Sequence, residues 1–348
     1  MSWPEIANDV KNETVHSKRN IAIVAGGYSS EYVVSLRSAE GLYSFMDQDR
    51  YDIYKVLIVE DEWFVLLADD KVLIDKNDFS FIHSNGHRVK FDFAYITIHG
   101  TPGENGLLQG YFEMLQIPYS SCNPLVSALT FNKYTCAQFL KSQGVLVPDA
   151  IRLHNGGEIE PEKIIEELGL PVFVKPNDGG SSFGVTKVKE ISQLNVAVQK
   201  AFQEGNEVVI ERFIPGVEVT CGCYKTGEEV VVFPLTEVVT ENEFFDYGAK
   251  YNGESQEITP ARISNELTEW IQQETVRIYE IMGAKGIIRI DYIIPVDSKP
   301  IMLEVNTTPG MTAASFIPQQ IKAAQLDIQD IMSEIIENEF KQVIKKAK

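Results

Sequence analysis

The sequence predicts a chain of mixed α/β and α+β architecture built from three structural units. Its 348 residues exceed the size of one ordinary hydrophobic core. In the first third, buried strand patterns alternate with helical patterns, which is typical of an open parallel α/β sheet. The remainder combines helices with successive strands, which indicates smaller α+β units.

The charge balance limits the classes of partner. The chain has 31 basic and 50 acidic residues and a net charge of −19, which argues against nucleic acid or an anionic membrane as the main partner. An anionic ligand therefore needs a local basic pocket. No apolar run approaches the ~18 residues of a transmembrane span, and the first residues lack the basic and apolar regions of a signal peptide. We expect a cytoplasmic protein with no membrane partner.

Four cysteines fit a reducing compartment. Cys122 and Cys136 lie in apolar segments, and Cys221 and Cys223 lie in a strand-like run. Structural thiols are the expected role. A Cys-x-Cys pair is also compatible with a soft metal, but no second pair or nearby histidine completes a zinc set, and we assign no metal there.

The first unit is expected to begin near Arg19, after a polar and aperiodic extension at 1–18. Its predicted elements are strands at 21–25, 54–59 and 93–98, and helices from about Val34 and at 107–115. Ligands bind at the carboxyl edge of such a sheet.

The second and third units are predicted to be α+β. The second has helices at 132–142 and 191–202, strands at 171–175, 185–188 and 208–214, and a Gly/Ser loop at 179–184. The third has strands at 218–224 and 229–235, a helix at 264–282, a hairpin, and closing helices after Ile317. The predicted bounds are 1–18 for the extension, 19–120 for an N-terminal substrate-binding domain, 121–214 for a central unit and 215–348 for a C-terminal unit. The segment 236–257 is long for a loop, which makes it a candidate lid.

The hairpin formed by 286–294 and 301–306 carries the most informative residues. A symmetric turn sets Asp291 opposite Glu304 and Arg289 opposite Asn306, all on one face. The neighbours expected to point into a core are Ile288, Ile290, Tyr292, Leu303 and Val305. Facing carboxylates repel, but with an asparagine amide they are hard oxygen ligands suited to Mg²⁺ and substrate phosphates. The alternative is a solvated strand face with a bulge that breaks the register.

Two lysines and two glutamates are candidates for a nucleotide site. Lys175 ends a buried strand ahead of the 179–184 loop, whose backbone N–H groups can hold phosphate oxygens. Lys133 starts a helix and is either a second phosphate cation or an ordinary solvent-facing lysine. Glu211 and Glu218 are spaced so as to accept hydrogen bonds from an adenine amine and ribose hydroxyls, although without context they are ordinary surface acids.

Two loops of the first unit are candidates for substrate binding. Gly26-Gly-Tyr-Ser-Ser-Glu31 follows the first strand but is not Gly-x-Gly-x-x-Gly, so a dinucleotide site is disfavoured. His99-Gly-Thr-Pro-Gly-Glu-Asn-Gly106 lies at the ligand edge. His99 either binds and relays protons or only caps its loop.

Together these segments resemble the D-alanyl-D-alanine ligase family of the ATP-grasp superfamily. The resemblance runs in order from about Arg19 to Leu326. The motifs that carry it are GGYSSE with VVSLRSA, HGTPGENGLLQG, FNKYTCAQFL, VKPNDGGSSFGV, VIERFIPGVEVT, FFDYGAKY, RIDYI and LEVNTTPGMTAASF. It implies a three-domain ATP-grasp architecture with an N-terminal open parallel α/β domain.

The resemblance also implies roles for individual residues. For ATP, the co-substrate, these are Lys133 and Lys175 at the phosphates, Glu211 at adenine, Glu218 at ribose and Lys250 reaching in from the lid. For two Mg²⁺ ions, with Mn²⁺ as a substitute, they are Asp291, Glu304 and Asn306. For D-alanine, Glu31 receives the first ammonium, His99 lies near the first substrate, and Gly310, Ser315 and Phe316 form the second site. Ser181 and Tyr251 link to Glu31, and Arg289 stabilises the oxyanion.

The implied activity is ATP-dependent joining of two D-alanine molecules through an acyl phosphate, for peptidoglycan precursors, by a homodimer. The alternative products are D-alanyl-D-lactate and D-alanyl-D-serine. Tyr251 favours the dipeptide over D-alanyl-D-lactate. Val33 and Phe316 depart from the family pattern, so the preference for the second substrate is open. A catalytically inert, nucleotide-binding protein is the alternative from another class, but the metal set and Arg289 are all present.

Overall fold

The computed structural model of the chain describes residues 18–68, 70–180, 183–240, 255–296 and 298–346. Their strands form three large sheets and one two-stranded ribbon. The predicted extension therefore lies outside the described residues except for Lys18, and so do three of the predicted site residues, Ser181, Lys250 and Tyr251.

The first sheet is mixed and has the order β4-β3-β2-β1-β7. Its strands are β1 (Arg19–Gly26), β2 (Tyr51–Val59), β3 (Glu62–Leu66), β4 (Lys71–Leu73) and β7 (Phe93–Ile96), and the ribbon pairs β5 (Ser80–Ile82) with β6 (Arg88–Lys90). The parallel prediction holds for β1 with β2 and β7. Strands β3 and β4 were not predicted, and they add an antiparallel edge to this sheet, because a two-residue connection after β2 can only return the chain antiparallel.

Helices α1 (Tyr32–Phe45) and α2 (Leu107–Leu115) belong to this first unit. The start of α1 is fixed by Ser35, whose Oγ accepts from Gly26 N at 2.9 Å and donates to Thr97 O at 2.7 Å. Both partners end parallel strands or follow them directly. Helix α1 therefore begins at the carboxyl edge of the sheet, which is where a ligand was expected.

The second sheet is antiparallel, with the order β10-β9-β11-β8. Its strands are β8 (Ala150–His154), β9 (Val172–Pro176), β10 (Thr186–Val188) and β11 (Glu207–Arg212), and the helices of this region are α3 (Pro124–Phe131), α4 (Lys133–Ser142), α5 (Pro161–Leu168) and α6 (Leu194–Ala201), the last preceded by a 3-10 turn at Ile191–Gln193. Strand β8 was not predicted. Its sequence, AIRLH, is short and only weakly alternating, and its pairing with β11 defines it.

The third sheet has the order β15-β14-β12-β16-β17, with β13 paired to β12. Its strands are β12 (Val217–Thr226), β13 (Glu229–Val232), β14 (Thr236–Thr240), β15 (Ser255–Ile258), β16 (Ile288–Ile294) and β17 (Ile301–Asn306), and its helices are α7 (Asn265–Met282), α8 (Phe316–Ala323) and α9 (Ile328–Lys346). The two ends of the predicted lid are paired strands, β14 and β15. Residues 241–254 lie outside the described part of the chain.

One hydrophobic core joins α3 and α4 to the third sheet. It includes Cys122 and Cys136 together with Cys221 and Cys223 of β12, all four as free, buried thiols. Burial raises the pKa of the Cys122 thiol to about 11 and that of the Cys221 thiol to about 12, so both thiols are neutral at physiological pH. The structural role expected for the cysteines is confirmed. In the described ranges, no helix is both long and apolar enough to cross a membrane.

Candidate active site

The hairpin of β16 and β17 has the predicted register. Arg289 pairs with Asn306, and Asp291 pairs with Glu304. Directly opposed residues of antiparallel strands share a face, so the four polar side chains form one patch. Ile288, Ile290, Tyr292 and Val305 are buried on the opposite face, as expected.

A bulge between Asp291 and Tyr292 shifts the remainder of the hairpin by one residue. Tyr292 then pairs with Met302, and Met302 rather than Leu303 enters the core. The prediction for Leu303 is wrong, because the bulge leaves it out of the ladder and it lines a cavity instead. The bulge follows the polar patch and leaves its register intact.

The polar patch is a network of charge-assisted hydrogen bonds. Arg289 Nε and Nη2 each donate to one Asp291 carboxylate oxygen at 2.8 Å. Asn306 Nδ2 lies 3.1 Å from Asp291 Oδ2 and 3.5 Å from Glu304 Oε1. Thr220 Oγ1, on the adjacent strand β12, donates to Asp291 Oδ1 at 2.6 Å. Asp291 is therefore held in one orientation by three different side chains.

Lys133, the first residue of α4, lies beside the polar patch. Its Nζ lies 3.8 Å from Glu304 Oε2 and also donates to the carbonyl of Gly179. Asn132 caps α4 and presents this lysine as the first helical residue. Since both carboxylates of the hairpin face a cation of the chain, their mutual repulsion is offset.

The chemistry of the donor set fits a hard divalent cation. Two carboxylates and one amide supply oxygen ligands on one face. Among the described residues, no cluster of three or more His, Cys, Asp or Glu side chains suits a metal. A metal at the hairpin would thus have two carboxylates, an amide and substrate oxygens as ligands, which is the pattern of Mg²⁺ in phosphate-transferring sites.

A cavity of about 1040 Å³ connects this patch to the rest of the predicted site. Strand residues of the second and third sheets line it, together with residues of α1 and of the loop after β7 in the first unit. The predicted site residues in its lining are Glu31, His99, Lys133, Lys175, Glu211, Glu218, Arg289, Asp291, Glu304, Asn306, Gly310, Ser315 and Phe316. A volume of this size accommodates a cofactor-sized ligand.

The nucleotide-candidate end of the cavity lies between the second and third sheets. Lys175 Nζ of β9 is 2.7 Å from Glu211 Oε2 of β11, and Glu211 is buried. Glu218 lies on β12, two residues from Thr220 and on the same face. Phe173 and Phe183 also line the cavity and were not predicted.

The other end of the cavity lies at the carboxyl edge of the first sheet. Glu31 directly precedes α1 and is buried, and a Cβ added to Gly180 would lie 2.6 Å from Glu31 Oε2, so the backbone of the Gly/Ser loop lies against this carboxylate. Ser29 Oγ donates to His99 O at 2.7 Å and joins the two loops of the first unit. Burial lowers the pKa of His99, partly opposed by Glu31, so the imidazole is neutral at neutral pH.

Glu104 is a cavity residue that the sequence analysis did not single out. Its Oε2 accepts a 2.7 Å hydrogen bond from Gly100 N. Burial, followed by the nearby charge of Glu31, raises the pKa of Glu104 to about 8. Its position within the motif HGTPGENG was the sequence signal that could have identified Glu104 as a site residue.

The loop 310–315 forms one wall of the cavity and rests on α1. Thr312 N donates to Ser315 Oγ at 3.1 Å, and a Cβ added to Gly310 would lie 2.9 Å from the same oxygen. Gly41 of α1 lies so close that a Cβ would be 2.1 Å from Met311 O. Phe316 begins α8, and the guanidinium of Arg289 lies 5.3 Å from the centre of its ring.

The chain is similar to known proteins along nearly its whole length. Residues 20–122 match the family described as D-ala D-ala ligase N-terminus, and residues 139–337 match the family described as D-ala D-ala ligase C-terminus. A D-alanine–D-alanine ligase of Parabacteroides distasonis is 65% identical over 93% of this chain and 98% of its own length. That of Phocaeicola vulgatus is 62% identical over 93% of this chain and all of its own.

Solved structures share the fold. The VanG D-Ala:D-Ser ligase of Enterococcus faecalis superposes with a TM-score of 0.81 at 30% identity, over 93% of this chain and 100% of its own. D-alanyl-alanine synthetase A of Vibrio cholerae gives 0.83 at 26%, over 92% and 98%. The Bacillus anthracis D-alanine–D-alanine ligase complexed with ATP gives 0.75 at 28%, over 94% and 99%.

Two antiparallel sheets that enclose a cavity with cations and carboxylates, next to an open sheet with parallel strands, define a protein of the ATP-grasp class. With both family matches covering most of the sequence, the chain belongs to the D-alanine–D-alanine ligase family.

Proposed function

We propose that the chain joins two D-alanine molecules into D-alanyl-D-alanine, with conversion of ATP into ADP and phosphate. Membership of the ligase family supports this activity. The observation that carries the residue assignments is the single cavity in which the hairpin patch, both lysines and Glu31 meet. The inert alternative is disfavoured, because Arg289 and the three oxygen donors occupy one face.

At the hairpin, Asp291, Glu304 and Asn306 would hold two Mg²⁺ ions, and Mn²⁺ is an acceptable substitute. These ions supply positive charge to the phosphate oxygens during transfer. Thr220 fixes the orientation of Asp291 through its 2.6 Å hydrogen bond. Asn306 Nδ2 donates to Asp291 Oδ2 at 3.1 Å, so this amide would turn to present its oxygen to a cation.

ATP would lie between the second and third sheets. Lys133 and Lys175 bind phosphate oxygens as point charges, and Glu211 and Glu218 accept hydrogen bonds from the adenine amine and the ribose hydroxyls. Lys250, which lies outside the described residues, joins the phosphates from the lid by resemblance to the family. Phe173 and Phe183 supply apolar surface for the base.

The first D-alanine would bind at the carboxyl edge of the first sheet, with its ammonium on Glu31 and with His99 beside it. Its carboxylate oxygen attacks the γ-phosphorus of ATP, which releases ADP and gives an acyl phosphate. By resemblance, Ser181 and Tyr251 complete a hydrogen-bonded set with Glu31, and both lie outside the described residues. Glu31 and His99 are buried, and exclusion of water by a closed lid would let the acyl phosphate survive.

The second D-alanine would place its carboxylate at Gly310 and Ser315, next to Phe316. Its amine attacks the acyl carbon and displaces phosphate. Arg289, held rigidly by Asp291, stabilises the oxyanion that forms. We further propose that the enzyme is a cytoplasmic homodimer that supplies peptidoglycan precursors, which is supported by the family alone.

The test is phosphate release with ATP, Mg²⁺ and D-alanine, with L-alanine as the control and mass analysis of the product. The expected result is phosphate and D-alanyl-D-alanine with the D isomer only. D-serine and D-lactate, tried as second substrates, decide the acceptor preference. ATP binding without phosphate release under any D-amino acid would refute the ligase assignment.

A further inference from the structure

Glu257 is a carboxylate of the cavity wall with no role in the mechanism above. It lies on β15, where the chain returns from the predicted lid. Val238 of β14 and Glu218 of β12 stand in the same row of the sheet. Opposed residues of antiparallel strands share a face, so Glu257 points to the same side as Glu218, and both line the cavity.

One glutamine connects Glu257 to the wall of the second-substrate site. Gln319 Nε2 of α8 donates to Glu257 Oε2 at 2.5 Å and to Ala314 O at 2.7 Å. Because both oxygens bond one nitrogen, they lie within about 5 Å of each other. Ala314 directly precedes Ser315. The carboxylate therefore lies next to the loop to which the carboxyl group of the second D-alanine is assigned.

Within the described part of the chain, no ion pair neutralises the charge of Glu257. Among the described residues, no lysine, arginine or histidine lies within ion-pair distance of it. The charge of Arg289 acts on Glu257, and the guanidinium of Arg289 also donates two 2.8 Å hydrogen bonds to Asp291. Burial raises the pKa of Glu257, opposed by Gln319 and Arg289. A half-buried carboxylate in this setting gains from a cationic ligand.

The second D-alanine brings such a cation. Its ammonium and carboxylate share one carbon atom, so a molecule with its carboxylate at Ser315 presents its ammonium within a short distance of that loop. We propose that Glu257 is a specificity-determining residue that attracts the ammonium of the second substrate and so favours amino acids over hydroxy acids. This inference rests on the proposed function and adds a residue to its acceptor site.

The test compares two acceptors in the full-length enzyme with ATP and Mg²⁺. D-alanine carries an ammonium, and D-lactate is a hydroxy acid of similar shape without one. For Glu257→Gln we expect about a tenfold rise in the KM of the second D-alanine, with kcat within about threefold of wild type. In competition at equal concentrations, the ratio of dipeptide to depsipeptide should fall about tenfold by mass analysis.

Two further variants separate charge from structure. Glu257→Gln can still accept the hydrogen bond of Gln319, so its thermal midpoint should remain near wild type. Gln319→Leu removes that bond and keeps the charge, so its product ratio should remain within about twofold of wild type. Glu229→Gln, the same change at an exposed site on β13, is the matched control.

An unchanged KM and product ratio in Glu257→Gln would overturn the inference. Equal losses of activity with both acceptors would also overturn it. So would a dipeptide-to-depsipeptide ratio in Gln319→Leu that matches the ratio in Glu257→Gln, because loss of the hydrogen bond between β15 and α8 would then be the cause. Failure of the wild-type enzyme to form any dipeptide would instead refute the proposed function.

Discussion

Glu304→Gln separates the chemistry of the hairpin from its stability. The change removes one negative charge and keeps the size of the side chain. Three contacts of Glu304 with its polar neighbours are long: 3.8 Å to Lys133 Nζ, 4.0 Å to Arg289 Nη2 and 3.5 Å to Asn306 Nδ2. It also faces Asp291 directly. The attraction lost is therefore partly balanced by relief of repulsion between the two carboxylates.

The expected magnitudes follow from this geometry. At about 4 Å and an effective dielectric constant near 20, the Coulomb energy of one pair of charges is ~4 kcal/mol. The attraction of Glu304 to its cationic neighbours and its repulsion from Asp291 have opposite signs, so they partly cancel. With the Glu304 side chain 29% exposed, we expect the free energy of unfolding to change by less than about 1 kcal/mol. Activity should fall by a factor of about 10² to 10³, or ~3 to 4 kcal/mol in the barrier, because a neutral amide is a poor ligand at the transferred phosphate.

Two measurements check this. Phosphate release gives kcat at saturating ATP over a range of Mg²⁺ concentrations, and thermal unfolding gives the stability. Glu228→Gln, at an exposed turn, is the control for a charge change elsewhere. Activity above one tenth of wild type, or a loss of activity that follows a loss of stability, would refute the metal assignment.

Three more changes test the packing and the charges. Gly41→Ala puts a methyl group on Met311 O and should cost ~1 to 3 kcal/mol in urea unfolding and raise the KM of the second D-alanine. Thr220→Val removes the 2.6 Å hydrogen bond to Asp291 and should cost ~1 to 3 kcal/mol, with reduced kcat in the phosphate assay. Because the pKa of Glu104 is raised to about 8 in the folded protein, that protein binds more protons than the unfolded chain between pH 4.5 and 8. Stability should fall as pH rises through this window, and Glu104→Gln should flatten the fall in a series of thermal melts.

The hairpin patch was predictable because its turn is nearly symmetric and its apolar residues alternate. The bulge after Asp291 was not predictable, since it depends on how β17 meets the core, and it changes only the place of Leu303. Local pattern also missed the antiparallel edge of the first sheet, where the connection after β2 is too short for a parallel crossover.

The missed acids of the cavity share one cause. Glu104 and Glu257 are ordinary surface residues by local sequence, and they reach the cavity only through contacts with distant segments. Glu257 meets Gln319, which is 62 residues away. No periodicity within a short window carries such information, whereas the motif around His99 at least indicated the loop that holds Glu104.

Three cations of the cavity are paired with acids of the chain: Lys175 with Glu211 at 2.7 Å, Arg289 with Asp291 at 2.8 Å and Lys133 with Glu304 at 3.8 Å. In a chain with a net charge of −19, these three cations of the predicted anion site therefore already have acidic partners. In the proposed site, nucleotide entry would be an exchange of counter-ions: phosphate oxygens would replace carboxylates as lysine partners, and the released carboxylates would become available to a metal or to the base and sugar hydroxyls. Affinity for the nucleotide alone and affinity for the metal alone should accordingly each be low, and the two should rise together, because each ligand releases the partner that the other needs.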